Sequence, residues 1–243
     1  RASLEAAWNC AIPPANGMHL TAMFEAMGRG DLRAAYIVGE NPTQSEPNSR
    51  HVVELLEGLD HLVVQDLFLT RTAQLADVVL PATAAWCEAD GTVTNSERRV
   101  QRVRRAVAPP GDARDDLEIF TMLARALGSP WEDTTAQQVW DELRSVSPAH
   151  FGMTYERLDA TGGLRWPCPS LDREEPPYLH ARLWSDDPGV LGRPAPFSSV
   201  VWRPPLDELA PDFPLRLTTG RRLDSYNTGV QSGAFSTPMP AGE

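Results

Sequence analysis

Three short apolar runs, each stopped by a glycine, a proline or a polar pair and spaced by helix-patterned stretches, restrict this chain to few folds. Ala34–Val38 breaks at Gly39, His61–Val64 runs out into Gln65 and Asp66, and Asp77–Leu80 stops at Pro81. Ahead of the first run, Leu20, Met23, Phe24 and Met27 recur at helical spacing and end at Gly28 and Gly30. Val52, Val53, Leu55 and Leu56 supply a second helix face, closed by Gly58, and Leu69–Leu75 is predicted as a short helix. Apolar runs without alternation belong to strands covered on both faces. Strand, helix, strand, helix, strand with tight connections implies right-handed crossovers and a parallel sheet. The expected class is α/β, with a Rossmann-like doubly wound parallel sheet.

The pattern then changes. Thr92–Thr94 and Val100–Val103 alternate apolar and polar residues around Asn95–Arg98, which predicts an antiparallel excursion. Asp115 or Asp116 can cap a helix with Leu117, Phe120, Leu123 and Leu127 on one stripe. Thr134 and Gln137 have capping-box spacing ahead of a helix carrying Val139, Trp140, Leu143 and Val146. From 147 to 212 the chain is rich in proline and tryptophan, and it reads as an irregular connection, since Trp166-Pro-Cys-Pro169 and Pro194-Ala-Pro196 cannot lie inside helices. Leu215–Thr219 resumes as a strand that turns at Gly220. The expected organisation is an α/β cofactor-binding domain over 1–146, the connection over 147–212, and the truncated start of a β-barrel over 213–243. The chain opens at Arg1 without a signal core and stops soon after a new unit begins at Pro214, so an internal piece of a longer protein is expected.

Composition removes several function classes. A net charge of −11 gives no basic stripe for nucleic acid and no attraction to an anionic membrane. No apolar run approaches the ~20 residues of a membrane span. Cys10, Cys87 and Cys168 lie far apart, form no metal-ligand spacing and are odd in number, which fits structural thiols in a reducing, cytoplasmic compartment. The five histidines are scattered, and neither a P-loop nor a Gly-x-Ser-x-Gly elbow occurs. No catalytic and no metal-ligating residue is expected in this stretch.

Open parallel sheets bind ligands beyond the carboxyl ends of their strands. Three loops leave such ends with polar side chains. Asn41 follows Gly39 and offers both a donor and an acceptor, although an ordinary strand-to-helix turn has the same residues. Gln65-Asp66 ends the second run, where a carboxylate can accept from ribose hydroxyls or cap the next turn; the dinucleotide glycine fingerprint is absent. Asp116 offers two acceptor oxygens that fit the adjacent N–H donors of a guanine edge, and it can equally cap its helix. Arg98, Arg99, Arg102, Arg104 and Arg105 form one basic cluster, suited to phosphate or to neighbouring carboxylates.

An ordered series of motifs goes beyond these local signals. Gly39-Glu-Asn-Pro42, Val64-Gln-Asp-Leu-Phe-Leu-Thr70, Ala76-Asp-Val-Val-Leu-Pro81, Gly91-Thr-Val-Thr-Asn95, Glu97-Arg-Arg-Val-Gln101 and Pro110–Asp116 closely resemble the molybdopterin oxidoreductase family, particularly its formate dehydrogenase alpha subunits. Likeness returns at Leu217–Leu223 and Tyr226–Gly229, which resemble the start of that family's C-terminal dinucleotide-binding barrel. The resemblance implies a bis(molybdopterin guanine dinucleotide)-molybdenum cofactor whose nucleotide end meets Asn41, Gln65, Asp66 and Asp116. It also implies an approach to the cofactor by Thr219, Gly220, Arg221, Thr228 and Gly229. Where several relatives carry a cofactor-contacting lysine, this chain has Ala89, so no such contact is implied there. The metal-ligating cysteine or selenocysteine and the iron–sulfur cysteines of the family lie upstream of the matched stretch. Formate is the implied substrate, with electrons leaving to an electron-transfer subunit or domain. A nitrate-reducing relative and the metal-free large subunit of NADH dehydrogenase are the alternatives.

Overall fold

The structure is a computed structural model that describes residues 1–85, 87–172, 176, 179, 197–205, 208–218 and 220. The chain divides into two compact units, Arg1–Leu179 and His180–Glu243. The first is mixed α/β. Its first sheet is parallel, with β1 (Ala34–Val38), β2 (His61–Asp66) and β3 (Val78–Pro81) side by side in chain order. Its second sheet is antiparallel, with β4 (Gly91–Thr94), β5 (Arg99–Val103) and β6 (Leu164–Arg165) in that order.

Register explains the first core. Ala35 pairs with Leu62 and Ile37 with Val64, so these four side chains share one face of the sheet. Helices α1 (Ala2–Trp8) and α2 (Leu20–Gly28) come before β1; α3 (Pro42–Ser45) and α4 (Ser49–Glu57) lie between β1 and β2. Phe24 and Met27 of α2 and Val52 and Leu56 of α4 pack on the shared face. Leu56, Leu62 and Val64 are almost wholly buried, each stabilising the fold by about 1.5–3 kcal/mol relative to exposure. The predicted helix over Leu69–Leu75 shrinks to one 3₁₀ turn, Ala73–Leu75. Residues 67–72 are drawn into bends and turns instead, with the Phe68 amide on Asp66 and the Thr72 hydroxyl on Asn41.

Three helices follow β5: α5 (Asp116–Ala126), α6 (Ala136–Val146) and α7 (Tyr155–Thr161). The capping box of α6 falls one residue later than predicted, on Thr135 and Gln138. On α5 the predicted stripe is displaced. Ile119 and Thr121 are buried while Leu127 is 79% exposed, and the Thr121 hydroxyl is satisfied by the Leu117 carbonyl. The largest difference lies in the stretch expected to be irregular. Residues 147–172 hold α7 and β6, and they close a second core of Val100, Trp140, Met153, Tyr155, Leu158, Leu164 and Cys168. Thr154 caps α7 and Gly162, at φ 71°, ends it. Local capping thus outweighs the high proline content nearby.

In the second unit, Ala210 and Phe213 form an isolated antiparallel bridge. Leu215–Thr218, expected to begin a barrel strand, is not in a strand, and Leu215 and Leu217 are exposed. A strand needs a partner for its backbone groups, and among the described residues this one has none. Among the described residues, no helix is long and apolar enough to cross a membrane.

Candidate functional site

The carboxyl ends of β1, β2 and β3 lie in a row, and the chain arranges three loops along that rim. The Gly39 amide donates to the Gln65 carbonyl at 2.9 Å, with Gly39 at φ 63°, where a β-carbon would be strained. Ala82 donates to the Asp66 carbonyl at 3.1 Å. Ala82 also forms a parallel bridge to Arg114, whose amide donates to the Pro81 carbonyl at 3.1 Å. The segment leading into α5 therefore runs beside β3 and delivers residues 115 and 116 to the same rim.

Asp115 and Asp116, interchangeable as caps in the sequence, have separate roles. Asp115 is the N-cap of α5, and its Oδ1 accepts from the Glu118 amide at 2.8 Å. Asp116, the next residue, turns back across β3: its Oδ1 accepts from Nε2 of Gln65. Among the described residues no donor meets its second oxygen. Asp116 is therefore not a cap but a half-buried carboxylate on the rim, at a helix N-terminus whose dipole favours negative charge.

Gln65 is fully buried, and both ends of its amide are engaged, since the Tyr36 hydroxyl donates to its Oε1. Its side chain meets Tyr36 and Asp116, not open space. Asn41 is half-buried, and its Oδ1 accepts from the Thr72 hydroxyl at 2.7 Å and the Thr43 hydroxyl at 3.1 Å. Both threonines are fully buried, so Asn41 fastens the β1 loop to the β2–β3 connection. The Asp66 Oδ1 accepts from the Phe68 amide at 3.1 Å and shapes its own loop. The rim thus brings Gln65 and Asp116 into direct contact. Asn41 and Asp66 stand on adjoining loops and make no hydrogen bond to Asp116. Gly220 is exposed in the second unit, and Thr219, Arg221, Thr228 and Gly229 lie outside the described residues.

A cavity of about 690 Å³ opens beside the rim, bounded by Asp116, Thr83, Glu88, Thr92, Trp140 and Tyr155 among others. Asn41, Gln65 and Asp66 are not on its wall, whereas Ala89 is. It is an acidic recess at the start of α5 rather than a pocket shared by all the predicted residues.

Two features escape sequence reasoning. Tyr36 lies on the sheet face opposite Ala35 and Ile37, edge-on to Phe120 of α5 with ring centroids 6.3 Å apart. Burial first, and the Asp116 charge second, hold its phenol above the usual tyrosine range, so it remains a donor. A lone tyrosine at the middle of an apolar strand is the only sequence signal for it. The arginine cluster, open between anion binding and pairing, is largely engaged within the protein. Arg104 and Arg102 meet Asp159 at 2.5 and 3.5 Å, Arg99 donates to the Gly163 carbonyl at 3.0 Å, and Arg98 donates to the Trp166 carbonyl. These contacts fasten β5 to α7 and β6. Among the described residues, no group of histidines, cysteines and carboxylates could hold a metal ion.

Comparison with known proteins gives this geometry a context. The family model for molybdopterin oxidoreductases matches residues 11–126, which span β1 to α5 and include the whole rim. The F420-dependent formate dehydrogenase 1 subunit alpha of Methanococcus maripaludis is 41% identical over 229 residues, covering 93% of this chain and 33% of that protein. Formate dehydrogenase H of Escherichia coli is 34% identical over 93% of this chain and 32% of its own length. The assimilatory nitrate reductase catalytic subunit of Bacillus subtilis is 37% identical over 90% of this chain and 31% of its own. The chain therefore spans about a third of the length of the curated relatives it matches. The matched stretch carries the rim with Asn41, Asp66 and Asp116, and residues 11–126 are a domain of the molybdopterin oxidoreductase family.

Proposed function

We propose that this chain is part of the alpha subunit of a formate dehydrogenase, and that its rim holds the nucleotide end of a bis(molybdopterin guanine dinucleotide)-molybdenum cofactor. One observation carries the assignment of the rim: Asp116 is held by one oxygen across β3 while its other oxygen has no protein donor among the described residues. A guanine edge presents two adjacent N–H donors, and a carboxylate is the side chain whose acceptors match them. Asn41 and Asp66 contribute to the same rim as loop-shaping residues that present acceptors to the ribose hydroxyls. Thr219, Gly220, Arg221, Thr228 and Gly229 are proposed to approach the cofactor from the barrel that the resemblance implies at 213–243. The parallel sheet is proposed to be part of a Rossmann-like, doubly wound domain.

The cofactor supplies the two-electron oxidation of formate to carbon dioxide, which releases a proton and two electrons. The residues of this chain bind and orient it. Asp116 selects the base, the β1 and β2 loops set its depth against the sheet, and Gln65, sealed behind Asp116, keeps water from the back of the carboxylate. Metal-ligating and iron–sulfur residues are assigned to chain outside these residues, as is the surface that meets the electron-transfer partner.

The 41% identity of the Methanococcus maripaludis subunit favours formate; formate dehydrogenase H at 34% and the nitrate reductase at 37% do not separate the two substrates. The test is metal and base analysis of the full-length protein, followed by dye reduction with each substrate. Stoichiometric molybdenum, guanine released by acid in twofold excess over it, and dye reduction by formate are expected. Absence of both molybdenum and guanine would overturn the cofactor assignment. Reduction of nitrate with no formate oxidation would overturn the substrate.

A further inference from the structure

We propose that Tyr36 and Gln65 form a positioning relay that orients the Asp116 carboxylate toward the guanine edge without touching the nucleotide themselves. The proposal rests on the guanine-binding reading of Asp116. Gln65 is fully buried and both ends of its side-chain amide meet protein partners, so it presents no surface to a ligand. The order of the relay follows from the chemistry of its members. An ionised carboxylate only accepts, so Gln65 must turn its NH₂ toward Asp116. That leaves Oε1 facing the Tyr36 hydroxyl, which donates. Tyr36 is in turn held in place by Phe120, one helical turn along α5 from Asp116 itself.

The consequence is orientational. A carboxylate at the first position of a helix turns among about three staggered wells when nothing holds it. The Gln65 bond selects one well and fixes the carboxylate plane. Each oxygen has room for about two hydrogen bonds, so Oδ1 keeps accepting capacity while Oδ2 has no protein donor among the described residues. Guanine fits this arrangement with two donors side by side. Adenine would place a ring-nitrogen lone pair against the carboxylate, which repels it. The relay therefore supports base selection as well as affinity.

The experiment measures how fast guanine-bearing cofactor is lost from the full-length holoenzyme on dilution, read as guanine retained per chain. Tyr36→Phe keeps the ring contact with Phe120 and removes only the hydroxyl. It is expected to speed the loss about three- to tenfold, the scale of one lost neutral hydrogen bond. In an Asp116→Asn background, Tyr36→Phe should add nothing, because the relay then has no carboxylate to orient. Wild-type retention in Tyr36→Phe overturns the relay, as does an equal additional loss in the Asp116→Asn background, which would mark a structural role. Gln65→Met is expected to match Tyr36→Phe where it folds, and Tyr36→Phe decides the matter where it does not. If Asp116→Asn alone retains guanine like the wild type, the guanine-binding reading itself fails. Faster loss in Asp116→Asn with wild-type retention in Tyr36→Phe sinks only the relay.

Discussion

Asp115→Ala separates the two neighbouring carboxylates at the start of α5. In the structure Asp115 Oδ1 accepts from the Glu118 amide at 2.8 Å and makes no contact with Gln65. Deleting an N-cap side chain typically costs about 1 kcal/mol, within about 0.5–2. The first turn still carries Asp116 and Glu118, so the interaction with the helix dipole is largely retained. The Glu118 amide is near the surface and gains water when the cap is lost, so about 1 kcal/mol is the upper part of the expected loss. A loss of about 1 kcal/mol raises the opening of α5 about fivefold. Hydrogen exchange of the α5 amides, followed by mass spectrometry on the full-length protein, reads this directly. Asp115→Asn should exchange like the wild type, because the amide oxygen still caps. Guanine content should stay within a factor of about two of wild type if the cap only shapes the helix. Unchanged exchange in Asp115→Ala, or loss of guanine on the scale of Asp116→Asn, would refute the division of labour.

Two further predictions concern the second core. A β-carbon at Gly152 would lie 2.1 Å from the Ser170 carbonyl oxygen and 2.8 Å from Cys168 Sγ, so Gly152→Ala forces apart a buried segment and should destabilise by about 1–3 kcal/mol; an unchanged melting temperature would show that the close approach is absent in solution. His150 packs edge-on to Trp140, and its Nδ1 lies 2.8 Å from the Ser147 hydroxyl. Burial holds it below the ordinary histidine value of 6.5, so below that value the unfolded chain binds the proton more readily and stability falls as pH falls. The stability of His150→Gln relative to wild type should therefore improve as pH drops below about 6.5, and a difference that is flat across that range would count against the assignment.

Local patterns carried much of the first sheet. The bounds of β1 and the ends of α2 and α4 follow from apolar runs and from the glycines that close them, signals that act over a few residues; the expected cover on both faces of the sheet is not seen, since alternate residues of β1 and most of β3 are exposed. The rim was legible for the same local reason: a residue at the end of an apolar strand lies at the sheet's edge whatever packs elsewhere. The helix and strand at 155–165 are not legible locally, since nearby prolines dominate the composition while the start and stop signals of the helix, Thr154 and Gly162, are single residues. The arginine cluster stayed undecided because its partner Asp159 is more than fifty residues away, on α7.

Residue order alone determined the alternation of strands and helices and the placement of Asn41, Asp66 and Asp116 at strand ends or helix starts, because those properties depend on near neighbours along the chain. Tertiary structure decided the division of work among the polar side chains. Only when β2, β3 and the start of α5 are side by side does Gln65 become a sealed link between Tyr36 and Asp116. Only then does capping pass to Asp115. A hydrogen bond between residues fifty-one positions apart has no trace in local sequence, since its energy exists only after the sheet has brought its partners together.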